Sequence, residues 1–314
     1  MPKSVFEKFC CFAIAMKKKY KYTPNADISA AGGIVRVIVG LFLVLLLLFW
    51  GSEAQAGLLA ERLAQFPQWE GFPPVKAAEG DLVYPDWMEG TWNVTSTLVD
   101  QVAPLAPDVV TPGFESNRRY LNQPVNFLVR FQAVSPALST LFGRFIPLKP
   151  FSESKNLVPT KHNSSVVVAD RAFNGLNIAK AYLGDRAIQS VKVDPNSPNR
   201  QITALSTGRQ LVSIVTGRAA ETPTSEQFIA TEVSNQVFRG TSRPYFNQVE
   251  TTTAYQLRQL PSLAIEAWQI TAVYLSPQDA DYFKAQARPV ALYRYRLELL
   301  PVEAGVSQPV DRVR

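Results

Sequence analysis

The feature that most constrains this chain is an alternation of period two that recurs from about residue 90 to residue 300. In Pro124 to Gln132, Val125, Phe127, Val129 and Phe131 share one parity, while Asn126, Arg130 and Gln132 share the other. In the last run, Ala291, Tyr293, Tyr295, Leu297 and Leu299 fall on one face and Arg294, Arg296 and Glu298 on the opposite one. Successive side chains of a strand point to opposite sides, so each run reads as a half-buried strand with a defined phase. Further β-branched or aromatic runs cover Ser164 to Ala169, Ile188 to Val193, Gln201 to Ser206, Gln210 to Val215, Phe228 to Phe238, Gln248 to Leu257 and Ala264 to Tyr274. With a segment opening at Trp92 they make roughly nine or ten strands, the spacing of an antiparallel sandwich or barrel.

The punctuation between runs fits that architecture. Asp194 to Asn199 is a loop sequence that would join a hairpin. Thr207-Gly208-Arg209 and Thr216-Gly217-Arg218 flank Gln210 to Val215, and glycine in each offers the positive φ of a tight reversal. In Ala264 to Tyr274 the phase changes, Ile265 matching one face and Trp268 and Ile270 the other, which predicts a bulge near Ala267. Gly57 to Glu70 spaces Leu58, Leu59, Leu63 and Phe66 as a short helix ending at Pro67. Asp170 to Gly184 gathers Phe173, Leu176, Ile178, Ala179 and Leu183 as a helix, with Asp170 and Gly184 as its caps. Ser276-Pro277-Gln278-Asp279 predicts another from Gln278 to Ala287.

Charge needs to be located before it is interpreted. The formal net charge is +6, but residues 1–56 hold seven Lys or Arg against three acids, leaving 25 basic and 23 acidic residues in the rest. The main body is nearly neutral, and a nucleic-acid partner is not expected. Both cysteines, Cys10 and Cys11, lie in the same leader, so the body has no disulfide framework, thiolate metal site or cysteine nucleophile. Residues 34–50 form an apolar run preceded by Lys17, Lys18, Lys19 and Lys21, and followed by Ala54-Gln55-Ala56. Basic residues hold that end on the cytoplasmic side, and the small residues suit a signal peptidase. Cleavage after Ala56 is expected; the other reading is a retained anchor, giving membrane association through residues 34–50.

Catalytic readings find little support. His162, the only histidine, sits in a loop sequence, and Ala204-Leu205-Ser206-Thr207-Gly208 lacks the first glycine of a nucleophile elbow. Asp279 and Asp281 read as first-turn acids of a helix rather than metal ligands. No phosphate loop or dinucleotide fingerprint is present. The expectation is a protein that is not an enzyme, with no catalytic residues, no metal site and no cofactor. Phe127, Phe131, Trp268, Tyr293 and Tyr295 either fill a solid core or line an apolar cup, since barrels of about eight strands do both.

Gly90-Thr91-Trp92, opening the first strand, with a basic residue near the end of the last, resembles the lipocalin-like (calycin) barrels. That resemblance implies that Gly90 and Trp92 form a structural plug at one end, with Arg294 or Arg296 packed across the Trp92 ring. From Trp69 through the Asp86-Trp87 corner to Tyr295, the chain also resembles an uncharacterised exported family of cyanobacteria and plastids. This implies a thylakoid-lumen or periplasmic setting and no assigned activity. The expected organisation is a leader over 1–56, a helix and proline-rich lead-in over 57–89, a mainly β antiparallel barrel with one or two short helices over 90–300, and a C-terminal tail over 301–314. Two functions are expected from it. One is binding of a small apolar ligand, a lipid or pigment, inside the barrel. The other is interaction with or assembly of a photosynthetic membrane protein through Gly71 to Pro85 or the Arg118-Arg119 loop.

Overall fold

A computed structural model describes residues 57–134, 165–240, 244–259 and 262–302. The chain divides into two units, 1–55 and 56–314. The apolar run, both cysteines, Ala56, His162 and the tail beyond Val302 lie outside the described residues. Among the described residues, no helix is long and apolar enough to cross a membrane.

Among the described residues twelve strands form one sheet: β1 (Lys76–Ala77), β2 (Val83–Tyr84), β3 (Gly90–Val102), β4 (Pro124–Val134), β5 (Val166–Ala169), β6 (Ile188–Asp194), β7 (Ser197–Leu205), β8 (Gln210–Thr224), β9 (Gln227–Arg239), β10 (Tyr245–Arg258), β11 (Ala264–Leu275) and β12 (Ala291–Pro301). Among the described residues four α-helices accompany it: α1 (Leu58–Ala64), α2 (Phe114–Asn117), α3 (Arg171–Leu183) and α4 (Tyr282–Ala285). From β6 to β12, strands adjacent in sequence are adjacent in the sheet. β12 then pairs with β3, and the order continues β3-β4-β5-β2, while β1 adds to β8. All these pairings are antiparallel. The end strands β2 and β6 do not pair with each other, so the sheet is a curled half-barrel.

Helix α3 links β5 to β6 and lies in the opening. It packs against β4 on one side and β6 and β7 on the other. Asp170 caps its start by accepting from the Phe173 amide at 3.0 Å, and Gly184, at φ 89°, ends it. The approach to β7 is tight, because a Cβ on Gly175 would stand 2.7 Å from the Gln201 side chain.

The concave face is apolar at both ends of its long strands. One end gathers Met88, Trp92, Val94, Phe131, Ile265 and Leu299; the other gathers Leu98, Phe114, Val249, Val273, Ala291 and Tyr293. Between them the same strands carry Ser96, Tyr295, Gln269, Thr271 and Thr253, and in register Tyr295 faces Gln269, which faces Thr253. On the convex face, Leu63, Phe66 and Trp69 cover Ile270, Ala272, Tyr274 and Leu292.

That cover is pinned by a buried ion pair. Arg62 Nε donates to Glu250 Oε1 at 2.6 Å and Nη2 to Oε2 at 2.7 Å, with Glu250 wholly buried. Trp69 Nε1, Tyr274 Oη and Thr252 Oγ1 also donate to this carboxylate, at 3.1, 2.8 and 3.0 Å. Arg62 uses its remaining donors on the carbonyls of Glu70 and Gly71 and stacks on the Trp69 ring at 4.5 Å. A bidentate pair with its spare lone pairs satisfied meets the desolvation cost of both charges.

Several expectations change. Gly217 is no turn: it lies inside β8 at a register shift between Val215 and Gly217, and the residue before its partner strand β1 comes so close that a Cβ there would meet Val75 at 2.6 Å. The Asp194 to Asn199 loop shrinks to Pro195-Asn196, because β7 begins at Ser197. β11 has no bulge near Ala267; its register is continuous with both neighbours, and Trp268 simply lies on the convex face, 43% exposed. The bulge sits between Arg294 and Tyr295, where β12 meets β3. The helix expected over 278–287 is only α4, since Gln286 and Ala287 take φ of 50° and 58° and break it. Trp92 is buried at 2% exposure, and its indole donates to the Met88 carbonyl at 2.9 Å beside Gly90, which is at φ 129°. Neither arginine crosses Trp92. Arg294 lies over Trp268 at 4.5 Å, and Arg296 pairs with Glu298. Both occupy the face opposite Trp92, because residues of even number in β12 point outward.

Removing one partner of the buried pair should be far costlier than removing both. Glu250→Ala is expected to lose about 3–5 kcal/mol of unfolding free energy, and Arg62→Met with Glu250→Leu to recover most of it. Denaturant titration of the two proteins checks this; equal losses would show that the pair carries no special weight.

Candidate functional site

A cavity of about 330 Å³ opens on the concave face, between its two apolar ends. Its floor is made by β3, β4 and β12, which contribute Val94, Phe127, Val129, Phe131, Leu297 and Leu299. Cross-strand pairing places Phe127 opposite Val94 and Leu299 opposite Val94, so these side chains meet on one face. Its wall toward β10 and β11 carries Tyr255, Gln269 and Thr271. Thr253 Oγ1 donates to Gln269 Oε1 at 3.3 Å, and Gln269 Nε2 to Thr271 Oγ1 at 3.4 Å, so this polar row partly satisfies itself.

The lid is α3. Asn174, Ile178 and Tyr182, spaced four apart, share the helix face that lines the cavity. Asn174 acts as a substitute strand: its Oδ1 accepts from the Arg130 amide at 2.6 Å, and its Nδ2 donates to the Arg130 carbonyl at 3.1 Å. It thereby docks the helix on β4. Tyr182 Oη lies 3.3 Å from Ser96 Oγ, and its carbonyl accepts from Tyr120 Oη at 2.9 Å. Ile178 is 38% exposed at the mouth.

Tyr84 closes one end. Its ring meets Phe131 edge-on at 4.8 Å, with Phe228 at 5.5 Å and Tyr255 at 6.4 Å. Burial raises the phenols of Tyr84, Tyr295 and Tyr182, and pushes Tyr255 up to about 12. Nearby, Glu232 accepts from Arg171 Nη2 at 2.6 Å and Arg218 Nη2 at 2.8 Å, and Asp81 stands 3.7 Å from Arg171. Two cations face two acids, and burial raises the Asp81 carboxyl.

Of the five aromatics singled out in the sequence, Phe127, Phe131 and Tyr295 line this cavity. Trp268 and Tyr293 do not. Trp268 lies on the convex face under Arg294, and Tyr293 belongs to the apolar end, where its hydroxyl accepts from Asn117 Nδ2 at 3.1 Å. Sequence reasoning missed Tyr84, Ser96, Asn174, Tyr182, Tyr255, Gln269 and Thr271. The signal available was the spacing Asn174, Ile178, Tyr182. Of the α3 residues expected to gather on one face, Ile178 lines the cavity, whereas Phe173 lies under Arg130 at 4.3 Å and Leu183 is 56% exposed. The Arg118-Arg119 loop is exposed, Arg118 pairing with Glu115 and Arg119 stacking on Tyr120. Among the described residues, no three His, Cys, Asp or Glu side chains cluster as metal ligands do.

Fold and cavity together define a protein built on an open antiparallel half-barrel whose concave face is hollow beneath one helix. The chain belongs to the family described as a domain of unknown function (DUF6816), whose model matches residues 76–303 and so takes in every strand of the sheet. No curated protein and no solved structure matches the chain.

The raised phenols set a pH dependence. An unfolded tyrosine titrates near 10.0, and the folded Tyr255 near 12, so the fold favours the protonated form. That stabilisation is complete below pH 10.0 and is lost as pH rises through about 12. Phenolate absorbance and circular dichroism followed together should show the cavity tyrosines ionising only as the fold melts; ionisation at an ordinary pH with the fold intact would refute their burial.

Proposed function

We propose that this protein is a non-enzymatic, lipocalin-like carrier that holds a small apolar molecule, a lipid or pigment or a part of one, in the concavity of its half-barrel. The observation that carries this reading is the cavity itself, about 330 Å³ and lined on its floor by Phe127, Phe131, Leu297 and Leu299. That volume is at the lower end of the range for ligand sites, which suits one or two rings or the end of a chain. The pairing of β3 with β12 and the Trp92 plug support the likeness to up-and-down barrels. The basic cluster and apolar run of the leader support export to a periplasm or thylakoid lumen, by a cleaved signal or a retained anchor.

A second reading, an interaction or assembly protein of the photosynthetic membrane, is favoured by Phe283. It is 85% exposed on α4 beside Lys284, a large apolar side chain that meets only the edge of the Tyr282 ring, at 5.4 Å, among the aromatic rings described. Solvent extraction of the protein isolated from its host, followed by mass spectrometry, separates the two. The carrier reading expects one small apolar compound at near-stoichiometric yield; an extract with none favours the second.

A further inference from the structure

The cavity presents hydrogen-bond donors without charge. Tyr84 and Tyr295 line it, and among the described residues neither hydroxyl has an acceptor. Both side chains line the cavity, so two O–H groups are within reach of something that enters it. Burial keeps both phenols protonated, and therefore donors, at ordinary pH. Gln269 is engaged with Thr253 and Thr271, and neither phenol donates to it. Cations are neutralised before they reach the space: Arg171 and Arg218 share Glu232, Arg171 also faces Asp81, and Arg130 pairs with Asp170 at 2.6 Å. Among the described residues that line the cavity there is no cation, so none of them offsets the desolvation of an anionic ligand.

We infer that the ligand is an uncharged ring-bearing or chain-end compound with a carbonyl oxygen, a ketone, quinone or ester, and that Tyr84 and Tyr295 donate to that oxygen or oxygens. The aromatic floor supplies most of the contact, and the phenols set orientation and select against both plain hydrocarbons and carboxylates. This inference rests on the carrier reading and specifies its ligand class.

Three probes of one shape test it on the protein isolated from its host and freed of bound small molecules: 2-acetylnaphthalene, 2-isopropenylnaphthalene and 2-naphthoate. The ketone should bind about tenfold more tightly than the hydrocarbon and more tightly than the carboxylate, the discrimination expected of one or two neutral hydrogen bonds. Its carbonyl stretch should shift to lower frequency on binding. Tyr84→Phe and Tyr295→Phe keep the rings, and with unchanged melting they should erase the preference and the shift while leaving hydrocarbon affinity alone. Equal binding of ketone and hydrocarbon, tighter binding of the carboxylate, or a preference untouched by both substitutions would overturn the inference while leaving a ligand-holding cavity in place. Binding of none of the three overturns the carrier reading as well.

Discussion

The pairing of β12 with β3 is the contact on which the concave face depends. It joins the meander β6 to β12 to the strands β3, β4, β5 and β2, with Leu299 opposite Val94 and Leu297 opposite Ser96. Without it, Val94 and Phe127 would not share a face with Leu297 and Leu299, and no cavity would form. These partners lie about 200 residues apart in sequence, so closing that loop costs entropy that only the completed sheet repays, and folding is expected to be slow for its size. The bulge between Arg294 and Tyr295 falls within this seam, where extra twist helps the sheet curl.

Both faces of the sheet solve the problem of burying polar groups, in different ways. On the convex side, Glu250 is surrounded by donors from Arg62, Trp69, Tyr274 and Thr252, so a fully buried charge has every lone pair engaged. On the concave side, satisfaction is partial. Gln269, Thr253 and Thr271 serve one another, while Tyr84 and Tyr295 line the cavity with no acceptor for their hydroxyls among the described residues. The contrast gives the cavity its chemical character. A filled core would have matched these groups as the convex side does.

The strands were legible because alternation survives translation into structure almost directly: Phe127, Val129 and Phe131 do share the inner face, as do Tyr295, Leu297 and Leu299. What failed were features that depend on distant partners. Gly217 looks like a turn residue until β1 pairs alongside it, and the change of phase at Trp268 looks like a bulge until Arg294 covers that ring from outside. The cavity was only half legible. Its aromatic floor follows strand parity, but Tyr84 comes from a two-residue strand in a proline-rich stretch, and Asn174 and Tyr182 from a helix whose inner face is set by where β4 and β6 end. No local pattern encodes that the sheet stops short of closure and that α3 occupies the gap.

A carrier of this kind requires a hollow concavity. A crystal structure of the protein under xenon pressure tests that most directly, since xenon enters apolar space that side chains leave empty. Xenon density is expected beneath α3, bounded by Phe131, Tyr295, Leu297 and Ile178. Side chains of α3 or of Tyr84 filling that volume, with no xenon between them, would contradict it.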